Sequence, residues 1–170
     1  FNKFSLGYNL ISGSIHPTKF TNADGKPLDE VLSSDLGVLQ DNSKAPLDTY
    51  LFEEVFYDSE LERRNITDRE IQSVVVFSKI PKNSIKIPVA GGYTYSPDFA
   101  YVVKTAEGDY LNFIIETKNV DSKDSLRLEE KKKIEHAQAL FNQISQSVKV
   151  EFKTQFANDD IYQLIKSALP

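Results

Sequence analysis

Three ionisable side chains stand out by type and spacing. Asp98 follows Pro97, and Glu116 and Lys118 flank Thr117. The two acids lie 116 − 98 = 18 positions apart. Two carboxylates and an amine suit hydrolysis of a phosphodiester, which is anionic and repels an attacking water. Hard oxygen ligands hold Mg²⁺, which keeps several waters for the substrate phosphate and the nucleophile. A lysine beside them orients the attacking water and offsets charge building on the phosphate. A general-base role for Lys118 would need a much lowered pKa, so water positioning is the role assigned to it. The Thr117 carbonyl, set between the two side chains, is a candidate further metal ligand. The rest of the chain leaves few other donors. It has no Cys, and His16 and His136 are its only histidines. Thiolate zinc sites, disulfides and cysteine nucleophiles are therefore excluded, and oxygen ligands suit magnesium, manganese or calcium.

The elements that must position these groups are legible around them. Residues 99–104 and 110–118 read as two strands joined by Thr105-Ala106-Glu107-Gly108-Asp109, a turn with Gly available for positive φ. With the turn centred near Gly108, paired numbers sum to about 216, which puts Asp98 opposite Thr117 or Lys118, give or take one position. Glu116 and Lys118, two apart, share a face with Ile114 and Asn112, while Leu111, Phe113 and Ile115 point the other way into packing. Cross-strand neighbours have Cβ atoms about 5 Å apart, a spacing at which two carboxylates can share one divalent cation.

Around this hairpin the pattern predicts an α/β sandwich on a mixed sheet. Phe4, Leu6, Tyr8 and Leu10 alternate like a half-buried strand, and a short helix is expected from Leu28 to Leu36, ending at Gly37. Leu51, Phe52, Val55 and Phe56 follow helical spacing with Asp48 as N-cap. Ser59–Glu62 and Thr67–Glu70 have capping-box spacing, so helix is expected to continue, with breaks, to about Gln72. Val74–Phe77 and Ser84–Val89 read as strands. Asp124 or Ser125 is the expected cap of a long helix with Ile134, Ala137, Leu140, Phe141 and Ile144 on its apolar face. A strand at Val148–Phe152 and a closing helix with Ile161, Leu164, Ile165 and Ala168 complete the order. Residues 1–45 read as a linker or appendage, and residues 46–170 as the catalytic domain.

The 170 residues, 40% hydrophobic and 26% charged, have the composition of one globular domain and exclude global disorder. Apolar runs such as Val74–Phe77 are far too short for a membrane helix or a secretory core. The net charge of −5 argues mildly against autonomous nucleic-acid binding, although metal-binding acids and delivery by neighbouring domains weaken that argument. The chain begins at Phe1 and contains no Met, which reads as a piece of a longer protein or a processed one.

Pro97-Asp98 with Glu116-Thr117-Lys118 fits the P-D…(D/E)-x-K nuclease pattern, a weak string on its own. Its surroundings are more specific. Ser78-Lys79-Ile80-Pro81, Ile85-Lys86-Ile87-Pro88-Val89, Gly92 to Ala100 and Leu111 to Lys118 run in one order, followed by Leu126-Arg127, Glu130, Lys133-Ile134, His136-Ala137 and Phe141. Upstream lies Tyr57-Asp58-Ser59-Glu60-Leu61-Glu62. From Tyr57 to Phe141 this series resembles the C-terminal endonuclease domain of the restriction (Res) subunit of type III restriction-modification enzymes. The resemblance implies a PD-(D/E)xK restriction-endonuclease-like core, a mixed central β-sheet flanked by α-helices. It implies an Mg²⁺-dependent endonuclease acting on double-stranded DNA, with Asp98, Glu116 and Lys118 catalytic and Asp98, Glu116, Thr117 and Glu62 around the metal. It further implies a covalently linked ATP-dependent helicase-like motor, a modification (Mod) methyltransferase subunit as partner, no membrane, and the cytoplasm of a bacterium or archaeon. No G-x-x-x-x-G-K-[ST] loop occurs here, so ATP is expected to bind elsewhere in the parent protein.

Glu62 has two equal readings: an acid on the first core helix facing the metal, as in the superfamily, or half of a capping box with Ser59. Glu53 and Glu54 read as a solvated helix edge. His136 reads as a helix-surface residue, with contact to phosphate or base as its functional alternative. Lys131, Lys132 and Lys133 alternate with Glu129, Glu130 and Glu135 as a solvated face does. Tyr93 and Tyr95 read as packing residues that could line a cleft mouth. The competing functional reading is a catalytically degenerate nuclease fold serving DNA binding or assembly. A hydrolase of another substrate is a distant third and would show a deep closed pocket.

Overall fold

A computed structural model describes residues 19–89 and 92–169. Its elements, in chain order, are α1 (Ser33–Leu36), β1 (Leu39–Asp41), β2 (Val55–Tyr57), α2 (Glu60–Thr67), β3 (Val74–Lys79), β4 (Ile87–Val89) and β5 (Tyr93–Tyr95). They continue with β6 (Phe99–Lys104), β7 (Tyr110–Lys118), a 3₁₀ turn (Lys123–Ser125), α3 (Leu128–Ile144), β8 (Val150–Phe156) and α4 (Ile161–Ala168). The expected strand over Phe4–Leu10 and His16 lie outside the described residues. Among the described residues no helix is long and apolar enough to cross a membrane.

The central sheet has the order β3-β6-β7-β8. β6 pairs antiparallel with β3 and β7, and β8 runs parallel to β7. A parallel neighbour needs a long crossover, which α3 supplies. The sheet is therefore mixed and flanked by helices, the expected restriction-endonuclease-like architecture. Alternation along β7 divides the core in two. Phe113 and Ile115 pack with Phe99, Tyr101, Ile66, Ile161 and Ile165 on the α2/α4 side. Ile114 packs with Ile134, Ala137, Phe141 and Phe152 on the α3 side, where Ile87, Val89 and Tyr95 of the β4–β5 hairpin close the layer.

Three local expectations change. The stretch expected as helix from Asp48 is a turn followed by β2, which pairs antiparallel with β1. Tyr50 bridges to Phe77 instead, and Tyr50, Phe52 and Val55 reach the core from non-helical backbone while Leu51 stays exposed. Asp48 caps nothing; its N–H donates to Glu70 Oε1 at 2.6 Å, which also takes Glu70 out of the expected capping box. The helix expected over Leu28–Leu36 shrinks to the four residues of α1. Asp124 and Ser125 fall in the 3₁₀ turn because Leu126 leaves it extended to bury itself under α3, and the helix starts only at Leu128.

The hairpin turn is centred one residue earlier than expected, which moves each pairing by two. Lys104 pairs with Tyr110 and Phe99 with Ile115, so paired numbers sum to 99 + 115 = 214. The five-residue turn is centred on Glu107, and Gly108 takes the left-handed position after it, with φ at 88°. Continuing the register one residue past Phe99 brings Asp98 to Glu116.

Candidate active site

Asp98 is held from both sides before its side chain is considered. Its N–H donates to the Ile115 carbonyl of β7 at 3.1 Å, and its carbonyl accepts from Ile80 N–H at 2.7 Å. Pro97 fixes the approach, so the carboxylate leaves the sheet end in one direction. Its Oδ2 accepts from both the backbone N–H and the hydroxyl of Thr117, each at 2.7 Å. Burial, and then the charge of Glu62, nevertheless raise its pKa, against the Thr117 bonds and Lys79. In a strand the N–H and C=O of one residue point to the same neighbour, so the Thr117 carbonyl also faces the Asp98 side.

Glu116 is 4% exposed at the end of a strand that is apolar for three residues before it. Lys118 Nζ lies 2.8 Å from its Oε1 and 3.6 Å from Glu130 Oε1 on α3. Burial and the neighbouring Asp98 charge outweigh this lysine and push the Glu116 pKa up to about 8. Lys118 shows the opposite balance: burial pulls its pKa down, but Glu116, Glu130 and Asp98 hold it above the usual lysine value. It stays protonated, which suits orientation and charge compensation and not proton abstraction. Glu116 Oε2 is buried and, among the described residues, makes no well-formed hydrogen bond; the buried Tyr95 hydroxyl beside it comes close enough to lower the Glu116 pKa without completing one.

Glu62 reaches this region from α2. Ser59 caps that helix, its Oγ accepting from Glu62 N–H at 3.3 Å. The Glu62 carboxylate does not return to Ser59; its Oε2 accepts from Asp58 N–H at 2.6 Å and from Lys79 Nζ at 2.7 Å. Both partners of that ion pair are almost fully buried, with side-chain exposures of 4% and 6%. A second carboxylate, Asp58, lies 3.4 Å from Lys79. Asp98, Glu116, Thr117 and Lys118 thus come together at the end of β6 and β7, and Glu62 approaches with a lysine already on it. Glu53 and Glu54 are exposed and lie elsewhere. Sequence reasoning missed Lys79, Tyr95 and Glu130 as members of this cluster. Lys79 carried a signal: it ends a buried apolar strand, where a lysine needs a carboxylate partner.

The donor set fits a hard divalent cation. All candidate ligands are oxygens, one of them a buried carboxylate oxygen with no well-formed hydrogen bond among the described residues, and burial raises the pKa of both acids, which a cation would lower again. Among the described residues no group of three or more His, Asp or Glu side chains converges, so such an ion would complete its shell with backbone oxygen, water and substrate.

Comparison with known proteins gives three findings. The family model described as "Endonuclease domain" matches residues 48–159. The whole chain is similar to the "Type III restriction-modification enzyme EcoP15I Res subunit" of Escherichia coli, 97% identical over 170 residues, and spans 18% of that protein. It is also 30% identical over 82 residues, 48% of the chain and 8% of the relative, to the "Type III restriction-modification enzyme StyLTI Res subunit" of Salmonella typhimurium strain LT2. No solved structure matches it.

Proposed function

This chain belongs to the endonuclease-domain family found in type III restriction Res subunits, and from that membership we propose that it hydrolyses phosphodiester bonds of duplex DNA with Mg²⁺ at the Asp98, Glu116 and Lys118 cluster. The observation that carries this reading is the pair of acids at the end of one buried hairpin, with Glu116 Oε2 lacking a well-formed hydrogen bond among the described residues.

Asp98 and Glu116 would hold the ion with the Thr117 carbonyl beside them, and Glu62 would be a further carboxylate behind its Lys79 ion pair. When bound, the ion screens the phosphate, lowers the pKa of a water and stabilises the leaving oxygen. The protein's own part is positional. Thr117 fixes the Asp98 carboxylate with two hydrogen bonds to one oxygen, leaving the other for the ligand. Lys118, charged and tied to Glu116 Oε1, aims its remaining N–H groups at water and phosphate. Glu130 holds the lysine from the far side. We extend the reading to the parent protein: an ATP-dependent motor in the same polypeptide and a Mod subunit deliver the DNA, in the bacterial cytoplasm.

Plasmid cleavage by the full-length protein, with and without Mg²⁺, tests the assignment. Asp98→Ala, Glu116→Ala and Lys118→Ala are each expected to abolish cleavage while ATP hydrolysis on the same preparations persists. Wild-type cleavage by all three would leave this fold as a degenerate module.

A further inference from the structure

On the α3 side of the sheet, next to the catalytic cluster, a groove of about 400 Å³ runs between the β4–β5 hairpin and α3. Val89 and Tyr93 form one wall, and Leu128, Lys132, Lys133 and His136 the other. Residues 129, 132, 133 and 136 are spaced i, i+3, i+4, i+7, so they form one stripe along the helix. The stripe adjoins the face that buries Ile134, Ala137 and Phe141.

Each wall belongs to an element that also touches the cluster. Tyr95, beside Glu116, is two residues from Tyr93 on β5, a rise of about 7 Å. Glu130, which touches Lys118, is six residues from His136 on α3, about 9 Å along the axis. Whatever occupies the groove therefore lies within about one helical turn of a duplex from the reacting phosphate.

The chemistry of the walls selects the occupant. Glu129 is paired with Lys133 at 3.3 Å. Lys132 is exposed and makes no ion pair among the described residues, which leaves the groove net positive in a chain of net charge −5. Tyr93 and Leu128 are 69% and 70% exposed, large apolar surface held open on a well-packed frame. Apolar walls with cations at the rim match a sugar–phosphate backbone, whose deoxyribose faces are apolar and whose phosphates take Lys and His donors.

We propose that this groove seats the sugar–phosphate backbone of the DNA strand flanking the scissile bond, with Lys132 and His136 on phosphate and Tyr93 against the sugar. The proposal rests on the nuclease reading above and adds a binding surface to it. The test replaces Tyr93 by a photo-crosslinking p-benzoylphenylalanine in the full-length protein carrying Asp98→Asn, so that contact is read apart from cleavage. The control puts the same group at Tyr110, 53% exposed at the turn end of the β6–β7 hairpin. Cross-linking to DNA from position 93 should exceed that from position 110 several-fold. It should fall several-fold with Lys132→Glu and with the milder Lys132→Ala combined with His136→Ala, both at surface positions and checked for an unchanged melt. Equal yields at the two positions, indifference to both Lys132 variants, or cross-links to protein instead of DNA would overturn the groove. If Asp98→Asn alone leaves cleavage at the wild-type level, the nuclease reading falls, whatever position 93 reports. If it abolishes cleavage and position 93 stays silent, only the groove falls.

Discussion

Glu116 keeps a lysine at 2.8 Å and still has its pKa pushed up to about 8, because burial and Asp98 outweigh that lysine. Asp98 is displaced in the same direction by burial and Glu62. An acid harder to ionise in the folded than in the unfolded chain binds more protons when folded, so stability falls as pH rises between the two pKa values. For Glu116 that window runs from its ordinary 4.5 to about 8. In chelator the chain should melt several degrees lower at the top of this window than at its foot. Mg²⁺ should restore more stability at the top, where it has fewer protons to displace. Glu116→Gln should flatten the profile, and a melting temperature independent of pH in the unaltered chain would contradict the electrostatics argued here. Thr117 permits a finer cut. Thr117→Val keeps shape, backbone N–H and carbonyl but removes one hydrogen bond to Asp98 Oδ2. A cost of about 1 kcal/mol is expected in denaturant unfolding, with Mg²⁺ affinity down about tenfold by calorimetry because the ligand loses its orienting partner.

At the level of elements, close approach between backbones fixes how the segment before the sheet docks. A Cβ on Gly37 would collide with the Tyr57 backbone, so α1 leaves directly against β2. Around that contact Val38 N–H donates to Asp58 Oδ1, Lys82 N–H to the Asp35 carbonyl, and Arg63 pairs with Asp41. Gly37→Ala must push β2 and α1 apart, at roughly 1–3 kcal/mol for overpacking. Limited proteolysis should then cut residues 19–41 faster while the central sheet persists; unchanged resistance would mean that the contact is not needed. Turn chemistry and β-rich runs made β6 and β7 legible to the residue, and the helical spacing of Ile161, Leu164, Ile165 and Ala168 did the same for α4. The stretch 46–57 was misread because Leu51, Phe52, Val55 and Phe56 satisfy helical spacing and are also residues that favour strands; tertiary pairing with β1 and Phe77 decided between them. Type and spacing placed Asp98, Glu116 and Lys118 on one hairpin. Lys79 and Tyr95 lay beyond that reach, because their approach to Glu62 and Glu116 depends on neighbouring elements and not on local period.

Across the whole molecule, charge and size set what the isolated chain can do. It buries two apolar layers on opposite faces of one sheet, enough for a 170-residue chain to fold by itself. It carries 25 acids against 20 bases, so the general attraction that supplies most non-specific DNA affinity is missing. What remains local is Lys118 in the site with Lys132, Lys133 and His136 along the groove. Two or three phosphate contacts would give a salt slope of only about −2 to −3 and an affinity near the weak end of non-specific binding, about 10⁻⁴ M. An ion at the proposed site would be weakly held for a related reason: two carboxylates would have to borrow ligands from phosphate, and each acid binds its proton more tightly than usual. Labelled duplex titrated into the isolated chain with Ca²⁺, at several salt concentrations near physiological strength, should therefore show weak binding with a shallow slope and no sequence preference. Tight, sequence-selective binding would mean that the chain reads DNA through residues 1–45 or α3, and that delivery by other parts of a larger protein is unnecessary.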